Sequence, residues 1–188
     1  NFNQMEIVSV QFALITLASF FIYYFLTNKA RIWFLVLLSC AFIASLSLNL
    51  LIYVLFYVLF NFLVGLQIPV TKHKKAVYRT GIIINLAQLI LLKYSSFLID
   101  PVLGLFDPSV RVSGLAEIIY PLGISYFTLQ GIGYLINVKM GWEKAETRLP
   151  DFILYFVFFP KFLSGPVERS NHFLPQVKTI RDFDRRQV

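Results

Sequence analysis

From Ile32 to Ile68 the chain carries no Asp, Glu, Lys or Arg. As a single helix that run would be about 55 Å long, while the hydrocarbon core of a bilayer is about 30 Å thick. Its densest polar interruption is Ser45-Leu46-Ser47-Leu48-Asn49, so the run is expected to break there into a short helix and a full-length one. A soluble core could in principle hold such a run, but the rest of the composition argues against it. Of 188 residues, 57% are hydrophobic and 14% charged, with a mean hydropathy of +0.70. That is too little charge to coat a water-soluble surface. The expected fold class is all-α: a polytopic transmembrane helical protein with about five spans plus a re-entrant or interfacial segment.

The remaining elements follow from apolar length and its interruptions. A first span covers Ile7 to Leu26 and ends in the aromatic cluster Phe20, Phe21, Tyr23, Tyr24 and Phe25, closed by Thr27, Asn28, Lys29 and Arg31. Pro69 ends the long helix, and the basic loop Lys72-His73-Lys74-Lys75 follows. A fourth span covers Val77 to Leu98, with Lys93 snorkelling near its far end, and is stopped by Asp100-Pro101. Val102 to Glu117 reads as loop or a short surface helix, and Ile118 to Val138 as a fifth span. The segment from Phe152 to Leu163 is too short to cross and contains Pro160, which makes it the re-entrant or interfacial element. The basic tail from Val177 to Val188 is expected on the membrane surface.

The net charge of +7 comes mostly from the loops and the C-terminal tail. That distribution fits the positive-inside rule and excludes a nucleic-acid partner. With alternating spans, the loop holding Lys29 and Arg31 and the loop holding Lys72, Lys74, Lys75 and Arg79 share one side. Asp100, Asp107 and Glu117, against Arg111 alone, fall on the other. The N-terminus is therefore expected outside and the basic loops in the cytoplasm. Cys40 is the sole cysteine and forms no intrachain disulfide. No paired Cys/His metal spacing, Gly-rich phosphate loop or nucleophile elbow is present. Internal repeats with matching broken helices are absent too, which weakens a transporter reading.

Two stretches set polar groups in apolar surroundings. In the fifth span, Gly123, Tyr126, Gln130, Tyr134 and Asn137 fall on one helical stripe, with Ser125 beside it. Lipid offers these groups no hydrogen bonds, so they either bond to a neighbouring helix or line a wet cavity. Gly131 and Gly133 would let a neighbour approach closely. The second stretch, Phe158-Phe159-Pro160-Lys161-Phe162-Leu163-Ser164-Gly165-Pro166-Val167-Glu168-Arg169, breaks twice at proline. It is either a helix end at the interface, with Lys161 and Arg169 snorkelling, or backbone held at membrane depth around a pocket. His73 reads as a solvated loop residue; His172, which could titrate near neutral pH, is a weak candidate for catalysis.

In these blocks the chain resembles the membrane-bound O-acyltransferases, specifically the branch of alginate O-acetyltransferases and D-alanyl-lipoteichoic acid transfer proteins. The matching residues are Pro121-Leu122-Gly123-Ile124-Ser125-Tyr126-Phe127-Thr128-Leu129-Gln130, then Tyr134 to Asn137, Phe158-Phe159-Pro160, Gly165-Pro166-Val167-Glu168-Arg169 and Phe173-Leu174-Pro175-Gln176. Asn85 and Lys93-Tyr94 also fit. The family usually has Asp at the position of Asn137 and often Phe at that of Leu129. Its catalytic histidine lies well downstream of the Gly-Pro block, and neither His73 nor His172 matches it. The chain, which begins at Asn1, is thus expected to be the N-terminal part of one acyltransferase domain whose second half lies outside it.

The resemblance implies an enzyme of a bacterial inner membrane. It would transfer an acyl group, acetyl above all, from a cytoplasmic thioester donor such as acetyl-CoA to a hydroxyl of an extracytoplasmic polysaccharide or cell-envelope glycan. It implies no cofactor and no metal. The lining of a polar tunnel would come from Ser125, Tyr126, Gln130, Tyr134, Asn137, Pro160, Ser164, Gly165 and Pro166, with Lys161 or Arg169 attracting donor phosphates. No residue of this chain would be the catalytic base. The alternatives are a non-catalytic membrane scaffold that recruits an extracytoplasmic acyltransferase partner, or a transporter segment.

Overall fold

The computed structural model describes residues 10–104, 124–159 and 169–178. Among the described residues the chain is all-helical: α1 Val10–Phe25, α2 Asn28–Leu46, α3 Leu48–Val70, α4 Lys74–Gly104, α5 Ile124–Met140, α6 Leu149–Val157 and α7 Ser170–Lys178. Among the described residues, two apolar segments are long enough by length and composition to cross a membrane, Leu48–Val70 and Lys74–Lys93, with mean hydropathies of 2.2 and 1.3.

The long uncharged run breaks where its polar residues cluster, at a single residue. Ser47 is extended, donates its N–H to Ile43 O at 3.0 Å and caps α3 by accepting from Leu50 N at 3.3 Å. One serine thus closes one helix and opens the next. Pro69 falls in the last turn of α3, which ends at Val70. The basic loop is shorter than expected, because Lys74 and Lys75 already belong to α4. At its other end α4 does not stop at Asp100-Pro101 but runs on to Gly104. A proline so near a helix end removes one hydrogen bond and leaves the turn intact.

Arg31 departs furthest from its expected role as a loop charge. It is 6% exposed, and its Nε donates to Tyr23 O at 3.2 Å and Leu26 O at 3.0 Å. The guanidinium lies over the rings of Tyr23 and Tyr24 at 5.2 and 6.0 Å. It caps the carbonyls left open at the end of α1, where the helix dipole also favours a cation.

Helix α3 is the centre of the bundle, with α2, α4, α5 and α6 all packed against it. Its buried positions, Leu50, Val54, Tyr57, Val58, Asn61, Phe62, Gly65 and Ile68, form one helical stripe. Contacts along α3 and α5 rise in step: Tyr57 with Phe127, Asn61 with Gly131, Gly65 with Tyr134. The two helices are therefore parallel. A Cβ at Gly65 would lie 2.5 Å from Tyr134 Cε1, and one at Gly131 would collide with the Tyr57 hydroxyl. Gly133 meets nothing within 4 Å, so it does not serve the close approach expected of it.

This arrangement gathers the α2 start, the Lys72–His73 turn and the Met140 end of α5 at one end of the bundle.

The close approach at Gly65 should be measurable. Gly65→Ala is expected to cost about 1–3 kcal/mol by overpacking against Tyr134. Gly133→Ala, in open space, should gain up to about 1 kcal/mol in helix propensity. Thermal unfolding of the two variants in detergent should move in opposite directions.

Candidate functional site

Two polar systems are built around α5, and they differ in kind. The first is a closed seam where α3, α4 and α5 meet. Asn85 Nδ2 donates to Asn61 Oδ1 at 2.9 Å and to Gly81 O at 2.8 Å. The Tyr57 hydroxyl donates to Asn85 Oδ1 and lies 3.2 Å from Phe127 O. Asn61 Nδ2 donates to Tyr57 O at 3.0 Å. One turn further along, Tyr53 donates to Gln88 Oε1 at 2.5 Å and Gln88 Nε2 to Thr128 Oγ1 at 3.1 Å. Asn61, Asn85 and Thr128 are fully buried. Each interhelical bond of this kind contributes roughly 0.6 kcal/mol, so the seam specifies register more than it adds stability.

Sequence reasoning passed over most of this seam. Asn85 stood out only through the resemblance. The signal was present, since Tyr53, Tyr57 and Asn61 recur every fourth residue in an apolar span and Asn85 and Gln88 are three apart.

The second system lies at the Met140 end. Gly141, at φ +77°, ends α5 in a Schellman turn, with Trp142 N–H on Asn137 O at 3.0 Å and Gly141 N–H on Val138 O at 3.2 Å. That turn directs Glu143 and Glu146 toward α7. Ser170 Oγ donates to Glu143 Oε2 at 2.5 Å and accepts from Asn137 Nδ2 at 3.1 Å. Lys178 pairs with Glu146 at 2.6 Å, while Glu146 Oε1 also accepts from Thr147 N and Arg148 N, each at 3.0 Å. The Tyr134 hydroxyl accepts from Glu146 N at 3.0 Å.

This double clasp joins the chain before α6 to the chain after it. Between the two, α6 runs inward with Phe152, Tyr155 and Phe156 at most 2% exposed. Asp151 is buried in its first turn and faces Arg148 at 3.3 Å. Phe152 packs on Tyr134 and Phe62, with centroids 4.6 and 5.5 Å apart, and Phe156 packs on Tyr57 at 5.9 Å. Just beyond α6, Phe159 N donates to Ser39 Oγ at 3.2 Å, near the middle of α2. A nine-residue helix is about 13 Å long and cannot cross. Helix α6 is thus too short to span, and the residues on either side of it, Glu143 and Glu146 before and Ser170 and Lys178 after, meet at the Met140 end of α5.

The predicted stripe of α5 is partly assembled. Gln130 and Tyr134 are buried, while Ser125, Tyr126 and Asn137 are half-buried. Both amide atoms of Gln130 are buried with no hydrogen-bond partner. Asn137, two turns further on the same face, reaches Ser170 at the start of α7. Arg169 is exposed, and its carbonyl caps α7 by accepting from His172 N and Phe173 N at 3.0 and 3.1 Å. His73 and His172 are both exposed. Gly123, Pro160, Lys161, Ser164, Gly165 and Pro166 lie outside the described residues.

Among known proteins the chain is similar to several acyltransferases. The probable alginate O-acetylase AlgI of Pseudomonas aeruginosa is 28% identical over 82% of this chain and 31% of its own length. The peptidoglycan O-acetyltransferase of Helicobacter pylori is 27% identical over 79% of this chain and 32% of its own. Both relatives are membrane-bound O-acyltransferases, and the chain is similar to them over most of its length. A third such relative, the teichoic acid D-alanyltransferase of Streptococcus thermophilus, is 33% identical over 47% of the chain and 21% of its own length. The chain thus spans about a third of the length of the curated acyltransferases it matches first. No protein-family model and no solved structure matches it.

Burial raises the Glu143 carboxyl above its ordinary value, against the opposing bonds from Ser170 and Asn137. A carboxyl raised on folding stabilises the fold at low pH, and that contribution is lost as pH rises through the folded value. Glu143→Gln keeps an acceptor for Ser170 without the buried charge. It should raise the melting temperature at about pH 8, with the gain shrinking toward about pH 5. Melting curves of both proteins across that range check it.

Proposed function

We propose that this chain forms part of a membrane-bound O-acyltransferase. The enzyme moves an acyl group, acetyl above all, from a cytoplasmic thioester such as acetyl-CoA to a hydroxyl of an extracytoplasmic polysaccharide or cell-envelope glycan. In this reading the acceptor hydroxyl attacks the thioester carbonyl. The C–O bond forms as the C–S bond breaks, the hydroxyl proton passes to a base and the thiol leaves. The base is a histidine outside this chain, which supplies the walls of the path. The protein is multi-pass in a bacterial inner membrane, with α1 to α5 crossing and the basic end in the cytoplasm.

The observation that carries the reading is the unpartnered Gln130 amide, sealed in protein on the face of α5 that leads down to Asn137 and the re-entrant segment. A thioester donor is too polar to enter hydrocarbon, so acyl passage needs polar groups enclosed by protein. An amide left unbonded in such a place costs about 1–3 kcal/mol unless something bonds to it. Ser125 and Tyr126 extend the path outward, Tyr134 and Asn137 inward. Pro160, Lys161, Ser164, Gly165, Pro166 and Arg169 complete it, with Lys161 or Arg169 drawing donor phosphates. The relatives, which include acetyl and D-alanyl transferases, support the reaction class.

In the full-length enzyme, Gln130→Leu should lower acyl transfer by about tenfold or more at nearly unchanged folded yield. Lost yield with unchanged specific activity would assign Gln130 to helix packing. For the topology, Lys74→Cys should resist impermeant thiol reagents in intact cells and react once the membrane is opened. Labelling from outside would invert the orientation.

A further inference from the structure

Between α3 and α4 the bundle has a cavity of about 200 Å³ that owes nothing to the acyl-transfer reading. Tyr53, Phe56, Phe60, Ile84 and Gln88 line it, with the Tyr57–Asn85 pair behind them. It lies on the outward side of both helices, where Phe56 is 70% and Ile84 43% exposed. Only 11% of the apolar window of α4 is buried. The groove is apolar along its length and polar at one end.

At the polar end one hydrogen-bond donor is open. Gln88 Nε2 carries two hydrogens, of which one goes to Thr128. The Tyr53 hydroxyl donates to Gln88 Oε1, and that bond fixes the amide with its second N–H uncommitted. A ligand that fits must present an acceptor there and an apolar chain along Phe56 and Phe60.

Depth narrows the choice. Tyr53 is five residues from the start of α3, about 7.5 Å below the helix end. The 23 residues of α3 span about 34 Å, slightly more than the hydrocarbon core. The polar end therefore sits just inside the boundary of one leaflet, within side-chain reach of lipid ester carbonyls. Phe60 lies about 10 Å deeper.

We propose that this groove binds one acyl chain of a membrane glycerolipid from the leaflet at the Ser47 end, with the ester carbonyl accepting from Gln88 Nε2. The chain follows Phe56 and Phe60 toward the bilayer centre. Shared burial against Ile84 distinguishes it from lipid in the general solvation layer.

The test is photo-crosslinking of the full-length protein in vesicles of ester-linked phosphatidylcholine or its ether-linked analogue, which lacks the carbonyl. The photoreactive side chain replaces Phe56, and replacing Leu91 on the exposed side of α4 gives the control for bulk lipid. Labelling at Phe56 should favour the ester lipid about fivefold, the size of one hydrogen bond, while labelling at Leu91 shows no preference. Gln88→Leu should abolish the preference. Because that change also frees Thr128, Ile84→Trp fills the groove from its rim and should lower labelling at Phe56 without disturbing the polar seam. Equal labelling by the two lipids overturns the proposal, as does a preference that survives both substitutions. Crosslinks from Phe56 to another part of the polypeptide overturn it too, by making the groove an internal seam.

Discussion

The Asn61–Asn85–Tyr57 cluster fixes the rest of the bundle, because none of these groups can find a partner in lipid. Asn85 uses both of its hydrogens, on Asn61 and on the Gly81 carbonyl, and its oxygen accepts from Tyr57. Sliding α4 by one residue would rotate Asn85 by about 100° and strand several buried groups together. Register is therefore held by the cost of alternatives more than by the strength of any one bond. Gly131 leaves room for the Tyr57 hydroxyl and Asn61 Oδ1 where α5 meets this cluster, and further along the same parallel pair Tyr134 lies over Gly65.

Tyr134 carries that order to the basic end of the protein. Its ring supports Phe152, and its hydroxyl receives the Glu146 N–H. Glu146 in turn holds Lys178 and the two backbone N–H groups that precede α6. The placement of α6 is thus tied, through one tyrosine, to a hydrogen-bonded cluster in the middle of the bundle. The aromatic packing of α6 would not suffice alone, since rings can slide where hydrogen bonds cannot. The clasp through Asn137, Ser170 and Glu143 ties the returning chain to the same end of α5.

What was legible in the sequence follows from local composition. The helix break at Ser47 and the inability of α6 to cross each depend on runs that a bilayer cannot accept. What was illegible depends on contacts across the fold. Arg31 has the sequence surroundings of any loop cation, and only the open carbonyls at the end of α1 make it a buried cap. Glu143 and Glu146 look like solvated loop acids until the chain returns over them. Gly133 matches Gly131 in type and setting, yet α5 turns it away from α3, and no local pattern records that rotation. Asp100-Pro101 carries a strong stop signal, but its position near the end of α4 lets the helix absorb it. For the candidate site, the α5 residues could be named from their chemistry, whereas the clasp that anchors them could not.

Helix α5 separates two kinds of polarity, and the separation bears on function. Thr128 and Gly131 face α4 and α3, where every buried side-chain amide has partners. Gln130 precedes Gly131 by one residue and so points about 100° around the helix, away from that seam. It shares its face with Asn137, whose only role in the clasp is at the rim. A helix that needed polar groups for assembly alone would place them toward its neighbours, as Thr128 is placed. Here a second polar face is closed off from solvent by the protein and still left with an amide free at both ends. Among the described residues, the hydrogen bonds that join α3, α4 and α5 account for the first face and leave the Gln130 amide outside them, and it is on that amide that the proposed acyl path rests.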